Sequence, residues 1–293
     1  MPQAGRFRIL ALDVDGTLLD RDGHLRPRTA AAVARAASAG IQPVLCTGRR
    51  YRRALPIAEQ LGIQVPIVCN SGAIVKNPRD HGTLWRADLD PKLTAEVLSL
   101  FQAFDQPCVV FTDNPHDQPD FIATGFPTGR VEFDDYVSQN RSHARIDAGW
   151  LGRALQGQRP GGTNLEVPVF HVFAVGSIGE MLTFERSVLD HLGIRVQTFV
   201  QRTSRYLGTM CEVLRPDASK WSAIVHLAEL WGVAREEVCA IGDDFNDVPM
   251  IRHAGLGVAM GHAPAEVLAV ADHVTGDHDS EGVATFLEEI LLG

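Results

Sequence analysis

Apolar runs at residues 9–12, 41–46 and 65–69 alternate with helical stretches at 27–39 and 50–61, and no other feature constrains the fold so tightly. Each run is hydrophobic without polar alternation, as a strand buried on both faces must be. The helical stretches stop at Gly40 and Gly62, residues that permit the left-handed turn closing a helix. Pro56 lies inside the second stretch and predicts a kink or interruption there. Strand, helix, strand, helix, strand of this kind predicts a parallel sheet covered on both faces.

The first run continues into Asp13-Val14-Asp15-Gly16. Side chains two apart on a strand share a face, so a backbone extended through Asp15 would set two carboxylates side by side at the strand's carboxyl end. Like charges that close raise a pKa unless a cation lies between them. The second run ends in Thr47-Gly48-Arg49, where close backbone approach at a helix start suits an anion. A later run, 238–241, ends in GDDFNDVPM and supplies Asp243, Asp244, Asn246 and Asp247. Ligands of open α/β sheets bind beyond the carboxyl ends of strands, so these clusters should meet. Several carboxylates at one sheet edge need a divalent cation, and an all-oxygen set points to magnesium. Lys220, on a helix expected over 217–230 with Asp217 as its cap, is the candidate fixed cation for an anionic substrate. Singly, each cluster reads as an acidic loop, a turn, a solvated lysine or a capped helix. Their joint occurrence at strand ends is what marks a site.

The rhythm breaks at 76–82, where NPRDHG reads as a linker. Strands are expected at 84–89, 108–112, 167–175 and 194–200, with helices at 91–104 and 178–192. The polar tract 113–162 yields no assignment. We therefore expect an α/β protein with a doubly wound, Rossmann-like parallel core, formed by residues 1–82 and 209–293, and an inserted α+β cap domain over 83–208. In this reading the run 211–214 opens the second core segment, and the last helix spans 282–292.

A net charge of −9 argues against general affinity for nucleic acid or anionic membrane. Five cysteines, spread without a CxxC pair, suit a reducing compartment and neither a disulfide framework nor a zinc site. With no apolar signal core before the first strand and no apolar stretch long enough to span a bilayer, a cytoplasmic protein is expected. Gly255, Gly257 and Gly261 have the wrong spacing for a dinucleotide fingerprint. His116, Arg130, Arg141, His143, Arg145 and His171 in the insertion could read a substrate's polar groups, although most are expected at the surface.

DVDGT, Thr47 of CTGR, Lys220 of EVLRPDASK and GDDFNDVPM resemble, in order, the four motifs of the haloacid dehalogenase superfamily. GLGVAMG at 255–261 and EGV at 281–283 are similar to the Cof-like phosphatase branch, whose members carry an inserted α/β cap of the type called C2B. The resemblance covers both core segments. It departs at Asn70-Ser71-Gly72-Ala73, where relatives have Asn-Gly-Ala, at Asp217 and Trp221, where relatives often have glycine, and at His262, where asparagine is common.

The resemblance implies a magnesium-dependent phosphatase for a small phosphorylated metabolite such as a sugar phosphate. Asp13 would attack phosphorus to give an aspartyl-phosphate, and Asp15 would serve as acid and then base. The metal would be held by Asp13, the Asp15 carbonyl and Asp243, with Asp247 in support. Thr47, Gly48, Lys220 and Asn246 would hold the phosphoryl oxygens. A phosphomutase or phosphotransferase would use the same residues; a phosphate-binding regulatory module would not need Asp15. The substrate and the oligomeric state are not encoded in these motifs.

Overall fold

A computed structural model of the chain describes residues 5–62, 64, 66–114, 118–156, 168–202 and 206–293. Two units emerge, one formed by Met1–Arg86 with Ser219–Gly293, the other by Ala87–Ala218.

The chain enters the first unit through β1 (Ile9–Leu12), α1 (Pro27–Ser38), β2 (Gln42–Cys46), α2 (Tyr51–Gln60), β3 (Ile67–Cys69), β4 (Ile74–Lys76) and β5 (Thr83–Arg86). It continues in the second unit with α3 (Pro91–Ala103), β6 (Val109–Phe111), β7 (Phe121–Ala123), α4 (Val131–Gln139), β8 (Ala144–Ile146), α5 (Trp150–Gln156), β9 (Val172–Gly176), α6 (Ile178–Leu192), β10 (Gln197–Arg202) and β11 (Thr209–Leu214). It then returns as α7 (Lys220–Trp231), β12 (Val238–Gly242), α8 (Val248–His253), β13 (Leu256–Ala259), α9 (Ala265–Leu268), β14 (His273–Val274) and α10 (Gly282–Phe286), with a wider π turn at Leu287–Leu291.

The core sheet runs β14-β13-β12-β1-β2-β3-β4-β5, parallel from β14 through β3. All four residues of β1 are fully buried, as the unbroken apolar run required. On one face Ile9, Ala11, Val44 and Val68 pack with Trp221, Ile224 and Leu227 of α7 and Met250 of α8. Register pairs Leu12 with both Ile241 and Leu45, so the residues after β1, β2 and β12 emerge at one edge. Pro56 does not interrupt α2, whose buried face includes Ala54, Leu55, Ile57 and Ala58.

The second unit holds a six-stranded sheet, β10-β11-β9-β6-β7-β8, antiparallel except for β7 with β8. Its core joins Val110, Ile122, Val172, Ala174, Cys211 and Val213 to Phe101 of α3, Trp150 of α5 and Phe184 of α6. The unassigned polar tract contains β7, α4, β8 and α5.

Two strands lie in a different sheet from the one the sequence reading gave them. Residues 209–214 belong to the second unit, antiparallel to both β10 and β9, and not to the core. Only six residues separate them from β10, too few for a parallel crossover, so hairpin-like pairing wins. Likewise β5 pairs antiparallel with β4 in the core sheet, and the supposed linker is their hairpin loop, closed by Asn77 N–H donating to Gly82 O at 2.8 Å. The core therefore extends through Arg86 and resumes at Ser219, in place of 82 and 209. The third run begins as a strand at Ile67; residues 65 and 167, expected at strand starts, lie outside the described residues. Among the described residues no helix is long and apolar enough to cross a membrane.

Candidate active site

The polypeptide leaves β1 at Leu12 and turns at once. Asp13 N–H donates to Ile241 O at 3.0 Å, extending the ladder by one bond. Leu19 N–H then closes back on Val14 O at 3.0 Å, and Gly16 takes a φ of +80°. The turn overrides the extended backbone expected through Asp15. Asp13 is buried, whereas the Asp15 side chain is 59% exposed, so the two carboxylates do not share a strand face.

Asp13 Oδ1 accepts from Lys220 Nζ at 2.6 Å, and the same ammonium donates to Asp247 Oδ1 at 2.6 Å. All three groups are buried. Asp247 Oδ2 accepts from the amides of Asp243 and Asp244, each at 3.1 Å, which uses both of its oxygens. Lys220 is the first residue of α7, and the cap lies two residues later than expected: Ser219 is the N-cap, in a capping box with Ser222, while Asp217 pairs with Arg215. Trp221, the bulky departure beside the lysine, packs into the core under α7.

The second cluster forms around β2 and β3. Thr47, fully buried, accepts on Oγ1 from Arg49 N–H at 3.0 Å and on its carbonyl from Ser71 N–H at 3.1 Å. A Cβ on Gly48 would lie 3.5 Å from Ser71 Oγ and 3.8 Å from Asn246 Nδ2, so these three residues are neighbours. Asn246 Oδ1 is buried with no hydrogen-bond partner. Asn70, Ser71 and Gly72 all take positive φ, 51°, 56° and 96°. For two residues with a Cβ this is costly backbone, of the kind that clusters at functional sites. Gly72 is held against the start of α7, where a Cβ would come within 2.1 Å of the Ser219 carbonyl group. Gly72→Ala should therefore lower stability by about 2–5 kcal/mol, combining backbone strain with overpacking, as read by urea denaturation. A loss below about 1 kcal/mol would show that α7 shifts freely.

Charge dominates the chemistry. Burial is the largest influence on Asp13 and raises its carboxyl well above the ordinary range; Lys220 opposes this, and the charges of Asp247 and Asp243 add to it. Asp243 is pushed up to about 6, by burial first and the charge of Asp247 next, against a hydrogen bond from Thr17. Burial alone would lower the Lys220 pKa, but Asp13 and Asp247 outweigh it and raise it, so the ammonium stays charged. Three carboxylates thus face one ammonium. Their oxygens, one from each of Asp13, Asp243 and Asp247, lie within 4.8 Å of one another, and Asp13 Oδ2 is buried without a hydrogen-bond partner. An unsatisfied carboxylate oxygen in a negatively charged, all-oxygen setting fits a hard divalent cation. Because Asp247 is spent on Lys220 and two amides, Asp13 and Asp243 are the side chains left to coordinate.

Arg49 and Thr17 were given no role by sequence, and Ser71 was noted only as a departure from the family pattern. Arg49 forks onto Asp15, Nε to Oδ2 at 2.7 Å and Nη2 to Oδ1 at 2.5 Å. Thr17 Oγ1 donates to Asp243 Oδ1 at 3.0 Å. The signal for Thr17 and Arg49 was present in DVDGT and CTGR, where each follows a chosen residue by two positions. In the second unit, Arg130 and Arg145 are engaged by Asp105 and Asp147, and His171 is buried 3.6 Å from Glu212. His116 lies outside the described residues. The five cysteines are free and buried, which raises every thiol pKa, that of Cys108 to about 12.

The profile of the haloacid dehalogenase-like hydrolases matches residues 10–287. A pyridoxal phosphate phosphatase of Escherichia coli is 28% identical, with 97% of this chain and 99% of the relative aligned. A 5-amino-6-(5-phospho-D-ribitylamino)uracil phosphatase of Bacillus subtilis is 26% identical, covering 98% and 99%. Among solved structures, a haloacid dehalogenase-like hydrolase from Bacteroides thetaiotaomicron superposes with a TM-score of 0.76 at 24% identity, covering 97% of this chain and 99% of the other. A protein of Thermotoga maritima gives 0.77 at 19% identity, covering 97% of each. With the profile spanning both segments of the core and everything between them, this protein belongs to the haloacid dehalogenase-like hydrolases, in their Cof-like branch.

Proposed function

We propose that this enzyme is a magnesium-dependent phosphoric monoester hydrolase that cleaves a small phosphorylated metabolite through an aspartyl-phosphate on Asp13. One observation carries the reading. Asp13 is a buried carboxylate at the end of the central strand, with one oxygen fixed by Lys220 and the other without a partner. That is the state of a nucleophile held in register and not merely of a structural ion pair.

An Asp13 oxygen forms the new bond to phosphorus as the ester P–O bond breaks, and Asp15 protonates the departing alkoxide. Water then attacks the acyl phosphate, Asp15 takes its proton, and inorganic phosphate leaves with Asp13 regenerated. Magnesium, when bound by the Asp13 and Asp243 carboxylates and the Asp15 carbonyl, would offset repulsion between the anionic nucleophile and the phosphate. Lys220 and the Thr47, Gly48 and Asn246 cluster supply the groups that hold phosphoryl oxygens, while Asp247 buttresses the lysine. Arg49 donates to both Asp15 oxygens, so proton delivery requires that pair to open, and an arriving phosphoryl anion would compete for the same guanidinium.

The relatives named for pyridoxal phosphate and a ribitylaminouracil phosphate support a metabolite ester as substrate. The second unit, placed as an insertion between the two core segments, is the candidate cap that selects it, in a cytoplasmic setting. A screen of phosphorylated metabolites with released phosphate as readout tests the proposal. Isomerised sugar phosphate without phosphate release would replace hydrolysis by a mutase.

The role of Asp15 has its own test. Asp15→Asn should slow phosphoenzyme formation from alkyl phosphates by about 10²–10⁴-fold, the usual range for general acid catalysis. An aryl phosphate, whose leaving group needs little protonation, should lose far less in single-turnover kinetics. Equal losses would remove Asp15 from the acid role.

A further inference from the structure

Beyond the motif residues, one side chain reaches the carboxylate we assign to the metal. β13 lies beside β12, and β14 beside β13, so the residues following these three strands emerge in sequence along one edge. They bring Asp243, His262 and His278 into a row. His262 Nε2 lies 3.4 Å from Asp243 Oδ2. His278 Nδ1 lies 3.2 Å from His262 Nδ1, with the rings edge to face at 4.3 Å between centroids. The same His278 nitrogen is 3.1 Å from His262 Nε2. Beyond it, His278 Nε2 is 3.7 Å from Asp279, which also pairs with Arg21.

We propose that His262 is a positioning residue for the metal ligand Asp243. Its Nε2 stands 3.4 Å from Oδ2, opposite the Thr17 hydroxyl on Oδ1 and with His278 against the ring, and would donate its hydrogen to Oδ2 when Asp243 takes up the ion. The inference rests on the reading of Asp13 and Asp243 as a magnesium site.

The physical argument is about rotation. A carboxylate bound through one oxygen can swing about its Cβ–Cγ bond, and ordering it on metal binding consumes part of the binding free energy. Thr17 alone fixes one oxygen. A second donor facing the other oxygen would limit the rotation of the plane. On the remaining side the backbone of Gly16 closes in: a Cβ there would lie 2.3 Å from Asp243 Oδ2. The carboxylate is thus bounded by a hydroxyl, an imidazole and a bare glycine. The arrangement is a chain and not a second cation site, because His262, His278 and Asp243 do not converge within one ligand sphere. Partners at this distance from a metal ligand typically change affinity 10–100-fold when removed.

The test is calorimetric titration of the full-length protein with magnesium chloride alone, so that no substrate or turnover enters. His262→Phe keeps a ring in place without an N–H. Its magnesium Kd should rise about 10-fold or more. His262→Gln, which can present an N–H at similar reach, should stay within about threefold of wild type on the same scale. His262→Ala provides a second donor-free variant should the larger ring disturb the loop, with circular dichroism confirming the fold in each case. A Kd for both donor-free variants within twofold of wild type, a tighter Kd, or a His262→Gln no better than His262→Phe would overturn the proposal. Asp243→Asn separates the two levels. If it binds magnesium as wild type does, the metal site itself is misassigned; if it loses magnesium while the His262 variants keep it, only the positioning role fails.

Discussion

Asp13→Asn should abolish phosphatase turnover, by about 10⁴-fold or more as for other lost nucleophiles, while leaving the fold as stable as before or more so. The stability half of this expectation follows from the charges. The folded-state pKa of Asp13 is raised above the ordinary carboxylate value, so the folded protein binds a proton more readily than the unfolded chain there. Stability then falls as pH rises through that window, and at neutral pH an ionised Asp13 works against folding. Asparagine removes one of the three negative charges facing Lys220 and keeps an oxygen for its ammonium. It also removes a proposed metal ligand, so the rise in melting temperature with magnesium expected of the wild type should shrink or vanish. Phosphate release and melting curves with and without magnesium check both halves. Substantial turnover in a folded, homogeneous Asp13→Asn preparation would end the covalent mechanism.

Lys220→Met should show the opposite balance, losing stability as well as activity. The side chain is 1% exposed and bridges two buried carboxylates, and removing one member of a buried pair typically costs about 3–5 kcal/mol. The loss should depend on pH, with a sign fixed by the remaining acids. Without the ammonium, Asp13 and Asp243 climb further above 3.8, the value they would have in an unfolded chain. They are then protonated in the folded state at pH values where the unfolded chain has released its protons, so the variant weakens as pH rises from about 4 towards 8. The lysine itself adds no slope in that range, since its own pKa lies above it in both states. Urea denaturation at pH 5.5 and pH 8 should therefore show the larger deficit at pH 8. An equal deficit at both would mean that packing by the lysine stem, and not its charge, holds the site together.

The core was legible because its signals are redundant. β1 is apolar at every position, the glycines stop the helices, and register alone then carries Asp13, Thr47 and Asp243 to one edge. What escaped had local signals that tertiary contacts overrode. Asp15 left the strand face because Gly16 turns the chain one residue earlier than alternation allows. Asp217 looks like a helix cap, yet Arg215 takes its carboxylate and Ser219 caps α7. The tract 113–162 stayed unread because its strands are three residues long, too short for a periodicity to show. Strands 83–86 and 209–214 were recognised as extended but put in the wrong sheet, since periodicity says nothing about partners. His262 was visible only as a departure from the family pattern; the adjacency of β12 and β13 is what brings it to Asp243.

The position of β1 between β2 and β12 also bears on how the chain is made. When the ribosome has released residues up to Arg86, β1 has one neighbour, and its other edge, all apolar residues, waits for a strand not yet synthesised. At typical elongation rates the segment Ala87–Ala218 occupies the ribosome for roughly 7–26 s before α7 and β12 emerge. During that interval the nascent protein carries an open sheet edge of the kind that seeks partners elsewhere. It also carries a buried-type aspartate with no lysine to meet it. Chaperone demand should therefore peak while the insertion is being translated, and a phosphatase that lacks Lys220 and Asp243 until its final quarter cannot act on metabolites before release.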